Sequence, residues 1–113
     1  MLFRSEYSLQ FPEKKPELTD AQSITIFRIV QESLNNIIKH AEAQKVSITL
    51  TDSDNVYGLE ICDDGKGFDL AATKKMGLFG LQGIAERIQM LGGKLSIETA
   101  PGCGMTLKAQ LPQ

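Results

Sequence analysis

The sequence predicts an α+β fold, in which a mixed and mostly antiparallel sheet is covered on one face by helices. The first observation is the order of the segments, which reads βα-ββ-α-ββ and places a helix before each of two hairpins. Helices of this kind cover one face of an antiparallel sheet. The second observation is the length of 113 residues, which suits one hydrophobic core. Residues 1–113 are therefore predicted to form a single domain.

The first strand and the first helix follow from local patterns. Residues 6–11 alternate apolar and polar side chains and predict a short strand that ends at Pro12. Thr19 or Asp20 can cap a helix that runs to about Ala41. At about 100° per residue, one arc of this helix is apolar and is predicted to face the core. Its members are Ile24, Phe27, Val30, Leu34, Ile37, Ile38 and Ala41.

The rest of the chain predicts two hairpins and a second helix. The bounds are 45–52 and 56–62 for the first hairpin, 77–91 for the helix, and 94–100 and 105–111 for the second hairpin. Turn-forming residues at 53–55 and 101–104 join the paired strands. The glycine pair Gly92-Gly93 predicts the end of the second helix, because glycine adopts the left-handed conformation common there.

Composition excludes several classes of function. A net charge of −2 gives no electrostatic reason to bind nucleic acid or an anionic membrane. No apolar run approaches the roughly 20 residues that cross a bilayer, and the first residues lack the apolar region of a signal peptide. Cys62 and Cys103 are expected to be reduced, since a domain of this size needs no disulfide.

The first helix has an unusually varied polar arc. It carries a carboxylate, an amide, an ammonium and an imidazole, from Glu32, Asn36, Lys39 and His40. One interpretation is a solvated helix face. However, Ile29 projects into the middle of this arc, so part of it should be covered. A carboxylate one turn before a carboxamide can also hold a hydrated divalent metal and orient a reacting group.

A tight glycine loop follows the third predicted strand in the segment CDDGKGF. Gly65 and Gly67 allow a close backbone approach or a positive φ, and Asp63 can accept a hydrogen bond from an exocyclic amine. A turn with solvated acids is the alternative. The loop is neither a dinucleotide-binding fingerprint, since Leu70 replaces the third glycine, nor a Walker A loop, since Gly67 follows Lys66.

A second glycine-rich segment, KKMGLFGLQG, opens the second helix. Glycine inside a helix costs up to about 1 kcal/mol relative to alanine, so Gly77, Gly80 and Gly83 require an explanation. Close packing is one, and phosphate binding at the positive end of the helix is another. Lys74 and Lys75 add positive charge nearby.

These three segments, in this order, resemble the GHKL ATP-binding fold of histidine kinases, type II topoisomerases and MutL repair proteins. The details are most similar to the catalytic domain of sensor histidine kinases of the NarX/DesK/UhpB type. IFRIVQESLNNIIKHAEA resembles the N box of that group and DDGKGF its G1 box, and the segment from GLFGLQG through the closing strand resembles its G2 region. The resemblance covers roughly residues 20–112 and implies the Bergerat (GHKL) sandwich.

The resemblance implies a role for each motif residue, with ATP and Mg²⁺ as cofactors. Glu32 would assist proton removal from the phosphoacceptor and Asn36 would bind Mg²⁺, with Glu32 beside it. Lys39 and His40 would lie near the phosphates, and Asp63 would recognise the adenine amino group. The remaining nucleotide contacts would come from Gly65, Gly67, Gly77, Leu78, Gly80, Leu81 and Thr106.

Two positions depart from the family pattern. Lys75 stands where the family usually has a glycine two residues before Gly77, which concerns the flexibility of the ATP lid. Gly104 is followed by Met105, and the threonine expected there comes one place later, as Thr106. The second departure concerns whether a hydroxyl lies near the nucleotide.

The resemblance also predicts partners. The only histidine is His40, within the N box, so the phosphoacceptor and dimerisation domain is expected to be absent from this chain. The chain would then transfer phosphate weakly unless that helical hairpin, part of a homodimeric parent, is supplied. A response regulator of the NarL/LuxR type would be the next partner. We expect a cytoplasmic location, with any membrane segment lying before residue 1.

Two other functions fit the same motifs. One is an anti-sigma-factor-type serine kinase of the same fold, which grips a transcription factor; a neighbouring sigma-factor gene would favour it. The other is a non-catalytic binding module that keeps only the pocket, against which the presence of both Glu32 and Asn36 argues.

Overall fold

A five-stranded sheet with the strand order β1-β2-β3-β5-β4 forms the body of the chain. The computed structural model describes residues 6–38, 43–53, 55–65, 81–99 and 104–113. The elements are β1 (Glu6–Gln10), α1 (Asp20–Asn36), β2 (Lys45–Ser53), β3 (Val56–Asp63), α2 (Leu81–Met90), β4 (Lys94–Thr99) and β5 (Met105–Pro112). Only β1 and β2 pair in parallel; the other neighbours are antiparallel. The predicted α+β class is confirmed.

The start of α1 is fixed by its own residues and by the end of β5. Thr19 caps the helix, because its side chain accepts a hydrogen bond from Gln22 N at 3.1 Å while Gln22 Oε1 accepts one from Thr19 N at 2.9 Å. This reciprocal pair is a capping box. Gln22 Nε2 also donates to the carbonyl oxygen of Pro112 at 2.9 Å. The predicted N-cap is thus confirmed, and the helix start is tied to the last strand.

The predicted end of α1, at about Ala41, is not reached by the described residues, which stop at 38 in this segment. The helix ends at Asn36 and passes into a wider, π-type turn at residues 37–38. The predicted continuation to Ala41 falls on residues 39–42, which lie outside the described part. A π-type turn is a local widening that is frequent near functional sites.

The core-facing side of α1 was predicted correctly only in part: Ile37 of the predicted arc is buried, and Val30 and Leu34 pack half-buried against the core. The side chains buried against the sheet are those of Gln22, Thr25, Ile29, Ser33 and Ile37. Ile24, Phe27 and Ile38, which the apolar arc placed in the core, are instead 49%, 64% and 56% exposed. The sheet packs on the side centred on Ile29, because tertiary contacts decide which face of a helix is covered. Counting apolar residues along the helix could not show this.

The two faces of the sheet differ as period-two alternation requires. The buried face carries Val46, Ile48, Tyr57, Leu59, Ile61, Leu107, Ala109 and Leu111. Ile84 and Ile88 of α2 complete this core. The other face holds mostly polar side chains, such as those of Thr49, Glu60 and Lys108. The helices therefore cover one face only, as predicted.

The end of α2 matches the predicted glycine signal. Gly92 has φ of +78° and donates to Gln89 O at 3.0 Å, while Gly93 N donates to Ile88 O at 2.9 Å. A Cβ at Gly93 would overlap the backbone carbonyl oxygen of Gln110. Position 93 therefore requires glycine because a side chain has no space there. Position 92 requires glycine because of its positive φ. Among the described residues, no helix is long and apolar enough to cross a bilayer.

Candidate functional site

The carboxylate of Asp63 stands at the end of β3, at the edge of the sheet. Its Oδ1 accepts a hydrogen bond from the backbone N–H of Gly65 at 2.9 Å. Its Oδ2 is buried and has no hydrogen-bond partner among the described residues. Burial raises the pKa of this carboxyl, the charge of Asp64 adds to the rise, and the Gly65 hydrogen bond opposes it. A buried acceptor without a donor normally indicates a missing ligand, water or ion.

Met105, rather than Thr106, shares a face of the sheet with Asp63. Asp63 pairs with Met105 and Cys62 with Thr106 across β3 and β5. Side chains in register lie on the same face, so Met105 is on the helix-covered side and is only 3% exposed. Thr106 is half-buried on the opposite face. The structure therefore does not bring the Thr106 hydroxyl together with the Asp63 carboxylate.

Gly104 allows β5 to pass close to Asp63. It has φ of +71°, and a Cβ there would overlap the backbone carbonyl oxygen of Asp63. Thr99, the last residue of β4, donates from its Oγ1 to the Gly104 carbonyl oxygen at 2.8 Å. Glycine is thus needed at position 104 both for its conformation and for its lack of a side chain.

Glu32 lies on the side of α1 that faces α2. Together with Arg28 it borders a cavity of about 200 Å³, whose other walls are Gly83, Ile84 and Arg87. Among the described residues, a Cβ at Gly83 would have nothing within 4 Å. Close packing therefore does not explain this glycine. Among the described residues that line this cleft, the charged ones besides Glu32 are the two arginines.

The other predicted site residues are described only partly. Asn36 is the last residue of α1, one turn beyond Glu32, and Leu81 is the first residue of α2; only their backbones are described. Gly65 is described and donates to Asp63. Lys39, His40, Gly67, Gly77, Leu78 and Gly80 lie outside the described residues, as does Lys75. Cys62 carries a free thiol, whereas Cys103 is also outside them.

Sequence reasoning missed two residues beside the site. Met105 was noted only as a departure, although the alternation of Met105, Leu107, Ala109 and Leu111 indicated that it faces the core. Asp64 was given no role of its own, yet it accepts backbone hydrogen bonds from Gln44 and Lys45. No sequence pattern indicated these contacts, because the partners are about twenty residues away.

Comparisons with known proteins agree on one family. Residues 21–113 match the family described as histidine kinase-, DNA gyrase B-, and HSP90-like ATPase. The signal transduction histidine-protein kinase/phosphatase DegS of Brevibacillus brevis is 42% identical over 100 residues, which are 88% of this chain and 25% of DegS. UhpB of Salmonella typhimurium, a protein of the same description, is 41% identical over 96 residues, 85% of this chain and 18% of UhpB. This chain thus spans a quarter or less of these relatives.

Solved structures show the same fold at lower identity. The histidine kinase domain of the Erythrobacter litoralis EL346 blue-light activated histidine kinase superposes with a TM-score of 0.78 at 19% identity, covering 96% of this chain and 52% of that one. The Acinetobacter baumannii histidine kinase AdeS gives a TM-score of 0.78 at 16% identity, covering 97% of this chain and 55% of that one.

Proposed function

Because this chain belongs to the family of histidine kinase-, DNA gyrase B- and HSP90-like ATPases, we propose that it binds ATP with Mg²⁺ as one catalytic module. In this proposal the module phosphorylates a histidine on the dimerisation hairpin of a sensor histidine kinase. The relatives that it matches are sensor kinases in which it corresponds to a quarter of the length or less. The hairpin therefore belongs to the rest of such a protein.

The unpartnered Oδ2 of Asp63 is the observation that carries the proposal. A buried carboxylate oxygen needs a donor, and the exocyclic amino group of adenine is a donor of the right kind. With Oδ1 engaged by Gly65 N at 2.9 Å, Oδ2 is left for the base. The buried Met105 side chain lies on the same face as Asp63, so the surroundings of that carboxylate are apolar.

The carboxylate and the amide near the end of α1 are side chains that can bind the Mg²⁺ and triphosphate part of the ligand. An amide oxygen at Asn36 and a carboxylate at Glu32 are ligand types that Mg²⁺ accepts. When bound, Mg²⁺ neutralises negative charge on the phosphates. Lys39 and His40 would contact the same phosphates, and the N–H groups of the glycine-rich segment that precedes α2 in the sequence, including Gly77 and Gly80, would bind them as well.

The proposed reaction moves one phosphoryl group. A bond forms between an imidazole nitrogen of the acceptor and the γ-phosphorus, the bond to the β–γ bridging oxygen breaks, and ADP leaves. The proton of the acceptor imidazole passes to Glu32. A response regulator of the NarL/LuxR type would then receive the phosphoryl group, and we place these steps in the cytoplasm.

Calorimetric titration of the chain with an ATP analogue and Mg²⁺ tests the proposal. We expect a dissociation constant between micromolar and millimolar. Asp63→Asn should weaken binding at least about tenfold, because the asparagine NH₂ would place a donor against the adenine amino group. GTP, which carries a carbonyl there, should also bind at least about tenfold more weakly.

Glu60→Gln is the matched control for that titration. Glu60 lies on the same strand as Asp63, but it is exposed on the open face of the sheet. Its neutralisation should change ATP affinity by less than about twofold. Equal losses in both variants, or no binding to the unsubstituted chain, would contradict the assignment of Asp63 to adenine.

A further inference from the structure

Two arginine side chains line the cleft between α1 and α2, the cavity of about 200 Å³ described above. Arg28 comes from α1 and Arg87 from α2. Glu32 is the only acid among the described residues that line the cleft, so this lining has a formal charge of +1. No ion pair among the described residues involves either guanidinium group. Two like charges beside one cavity repel each other, and an anion bound between them would offset that repulsion.

Arg28 and Glu32 do not neutralise each other directly. They are separated by one turn of α1, a spacing at which opposite charges on a helix can pair. These two described side chains form no such ion pair, although both border the cleft. The guanidinium of Arg28 therefore keeps its donors for a ligand, as does that of Arg87 on the facing helix.

The donors of the cleft favour a phosphate group over a carboxylate. A guanidinium can present two parallel N–H groups to an oxyanion, so two of them can present four. A carboxylate has two oxygen atoms to accept these donors, whereas a phosphate group has at least three and carries more negative charge. The cavity of about 200 Å³ has room for roughly six water-sized groups at about 30 Å³ each, which is enough for a phosphate and part of its hydration.

The other walls of the cleft also suit a bound anion. Gly83 is the third residue of α2 (Leu81–Met90) and so lies in the first turn, where unpaired N–H groups and the helix dipole favour negative charge. No described residue lies within 4 Å of the position that a Cβ would take there, so the glycine leaves this side open. Ile84 is buried, and an apolar wall strengthens nearby charge interactions because it lowers the local dielectric constant.

Glu32 links the cleft to the proposed reaction. Asn36, the proposed Mg²⁺ ligand, follows it by one turn of α1, a rise of about 6 Å along the helix axis. When Glu32 takes the proton of the acceptor imidazole, its carboxyl becomes neutral, and the two arginines then give the lining a formal charge of +2. The phosphoryl group that is transferred at this stage carries close to two negative charges. The charge of the cleft therefore matches that group best after transfer.

We propose that Arg28 and Arg87 form a binding site for a phosphate group, and that this site holds the phosphoryl group once it has left the nucleotide. This inference rests on the proposed function and adds two residues to it. Both guanidinium groups stay protonated and donate hydrogen bonds only, so they take no part in making or breaking bonds. Their contribution is to stabilise the transferred group while ADP leaves.

NMR titration of the chain with inorganic phosphate at constant ionic strength tests the site. We expect saturable shifts of the side-chain Nε–H signals of Arg28 and Arg87, with a Kd of about 1–10 mM. Arg28→Gln and Arg87→Gln should each weaken binding at least about fivefold. Lys108→Gln is the control, because it removes an exposed positive charge on the uncovered face of the sheet; it should change the Kd less than about twofold. Equal losses in all three variants, or the same shifts with acetate in place of phosphate, would overturn the proposal.

Glu32→Gln gives a test that a loss of folding cannot imitate. This variant should bind phosphate at least about fivefold more tightly, because it gives the lining the formal charge of +2 without any proton transfer. Unchanged or weaker binding of phosphate by Glu32→Gln would contradict the assignment of the site to this cleft.

ADP with Mg²⁺ separates this site from the nucleotide site. The chain saturated with ADP should bind phosphate with a Kd within about twofold of that of the free chain. Displacement of phosphate by ADP would overturn the proposal, since the phosphate would then occupy the nucleotide site. Failure of the proposed function would appear instead as a chain that binds neither ADP nor an ATP analogue, and the phosphate titrations of the free chain would still test the two arginines.

Discussion

Asp64 and Lys45 are joined by two hydrogen bonds that run in opposite directions. Asp64 Oδ1 accepts from Lys45 N at 2.8 Å, and Asp64 N donates to Lys45 O at 3.2 Å. The same Oδ1 accepts from Gln44 N at 2.8 Å. These hydrogen bonds connect Asp64, the residue after Asp63, to the start of β2. This strand follows the N box in the sequence. Asp64 therefore positions the candidate adenine ligand relative to the residues proposed to bind metal and phosphate.

Asp64→Ala should lower the unfolding temperature, because Gln44 N and Lys45 N lose their shared acceptor. Asp64→Asn should recover part of the loss, since an amide oxygen can still accept. Thermal unfolding followed by circular dichroism measures both. Asp52→Ala is the control, because the one hydrogen bond of the Asp52 carboxylate to the described residues comes from the side chain of Gln113; an equal effect there would contradict the role of Asp64.

The two neighbouring acids should have opposite pH dependences. The hydrogen bonds from Lys45 and Gln44 hold the pKa of Asp64 below its ordinary value of 3.8. Its contribution to stability is therefore complete above pH 3.8 and is lost as the pH falls through the lower folded pKa. Burial raises the pKa of Asp63 above 3.8. Its ionisation accordingly destabilises the fold as the pH rises from 3.8 through that higher pKa.

Asp63→Asn should consequently raise the stability of the nucleotide-free chain at neutral pH while it removes ATP affinity. The gain should shrink as the pH falls below the folded pKa of Asp63, where the wild-type carboxyl is already protonated. Urea unfolding at a series of pH values measures this difference. A gain that stays constant with pH would show that the charge of Asp63 is not its cause.

Truncation to alanine should have a large effect on stability at Met105 and little effect on ATP affinity at Thr106. Met105→Ala should lower the free energy of unfolding by about 2–5 kcal/mol, because its buried side chain would leave a cavity beside Asp63. Thr106→Ala should change ATP affinity by less than about twofold, since the hydroxyl lies on the other face of the sheet. Urea unfolding and calorimetry give the two values. A large loss of ATP affinity in Thr106→Ala would place that hydroxyl in the nucleotide site after all.

Ser33→Ala should raise the free energy of unfolding by about 1 kcal/mol. The Ser33 side chain is fully buried, and its hydroxyl has no hydrogen-bond partner among the described residues. Removing such a group relieves its desolvation cost. Ser23→Ala, at an exposed position of the same helix, controls for helix propensity and should gain less. Equal gains would assign the effect to propensity alone.

Two glycines of the α2 region should differ when each is replaced by alanine. Gly83→Ala should stabilise the chain by up to about 1 kcal/mol, because alanine favours the helix and no described residue lies within 4 Å of a Cβ there. Gly93→Ala should destabilise it, since the new Cβ would overlap the Gln110 carbonyl. Chemical denaturation compares the pair. Destabilisation by Gly83→Ala would indicate that this position is tightly packed.

Local chemistry made much of the fold predictable. The Thr19 cap, the glycine end of α2 and the alternation along β2, β3 and β5 depend on residues close together in the chain. The structure confirms the cap, that helix end and the two hairpins. The Asp63–Gly65 contact also joins near neighbours, which is why a short motif could indicate the pocket.

The sequence by itself therefore determined the order of the elements, the start of α1, the end of α2 and the acid at the edge of the sheet. Only the tertiary structure decided which face of α1 is buried, that Met105 rather than Thr106 lies beside Asp63, and that Asp64 holds the start of β2. The physical reason is the distance along the chain between the residues that interact. Capping, turns and alternation are satisfied within a few residues, whereas the burial of Ile29 and the exposure of Phe27 depend on where a sheet assembled from distant strands meets the helix.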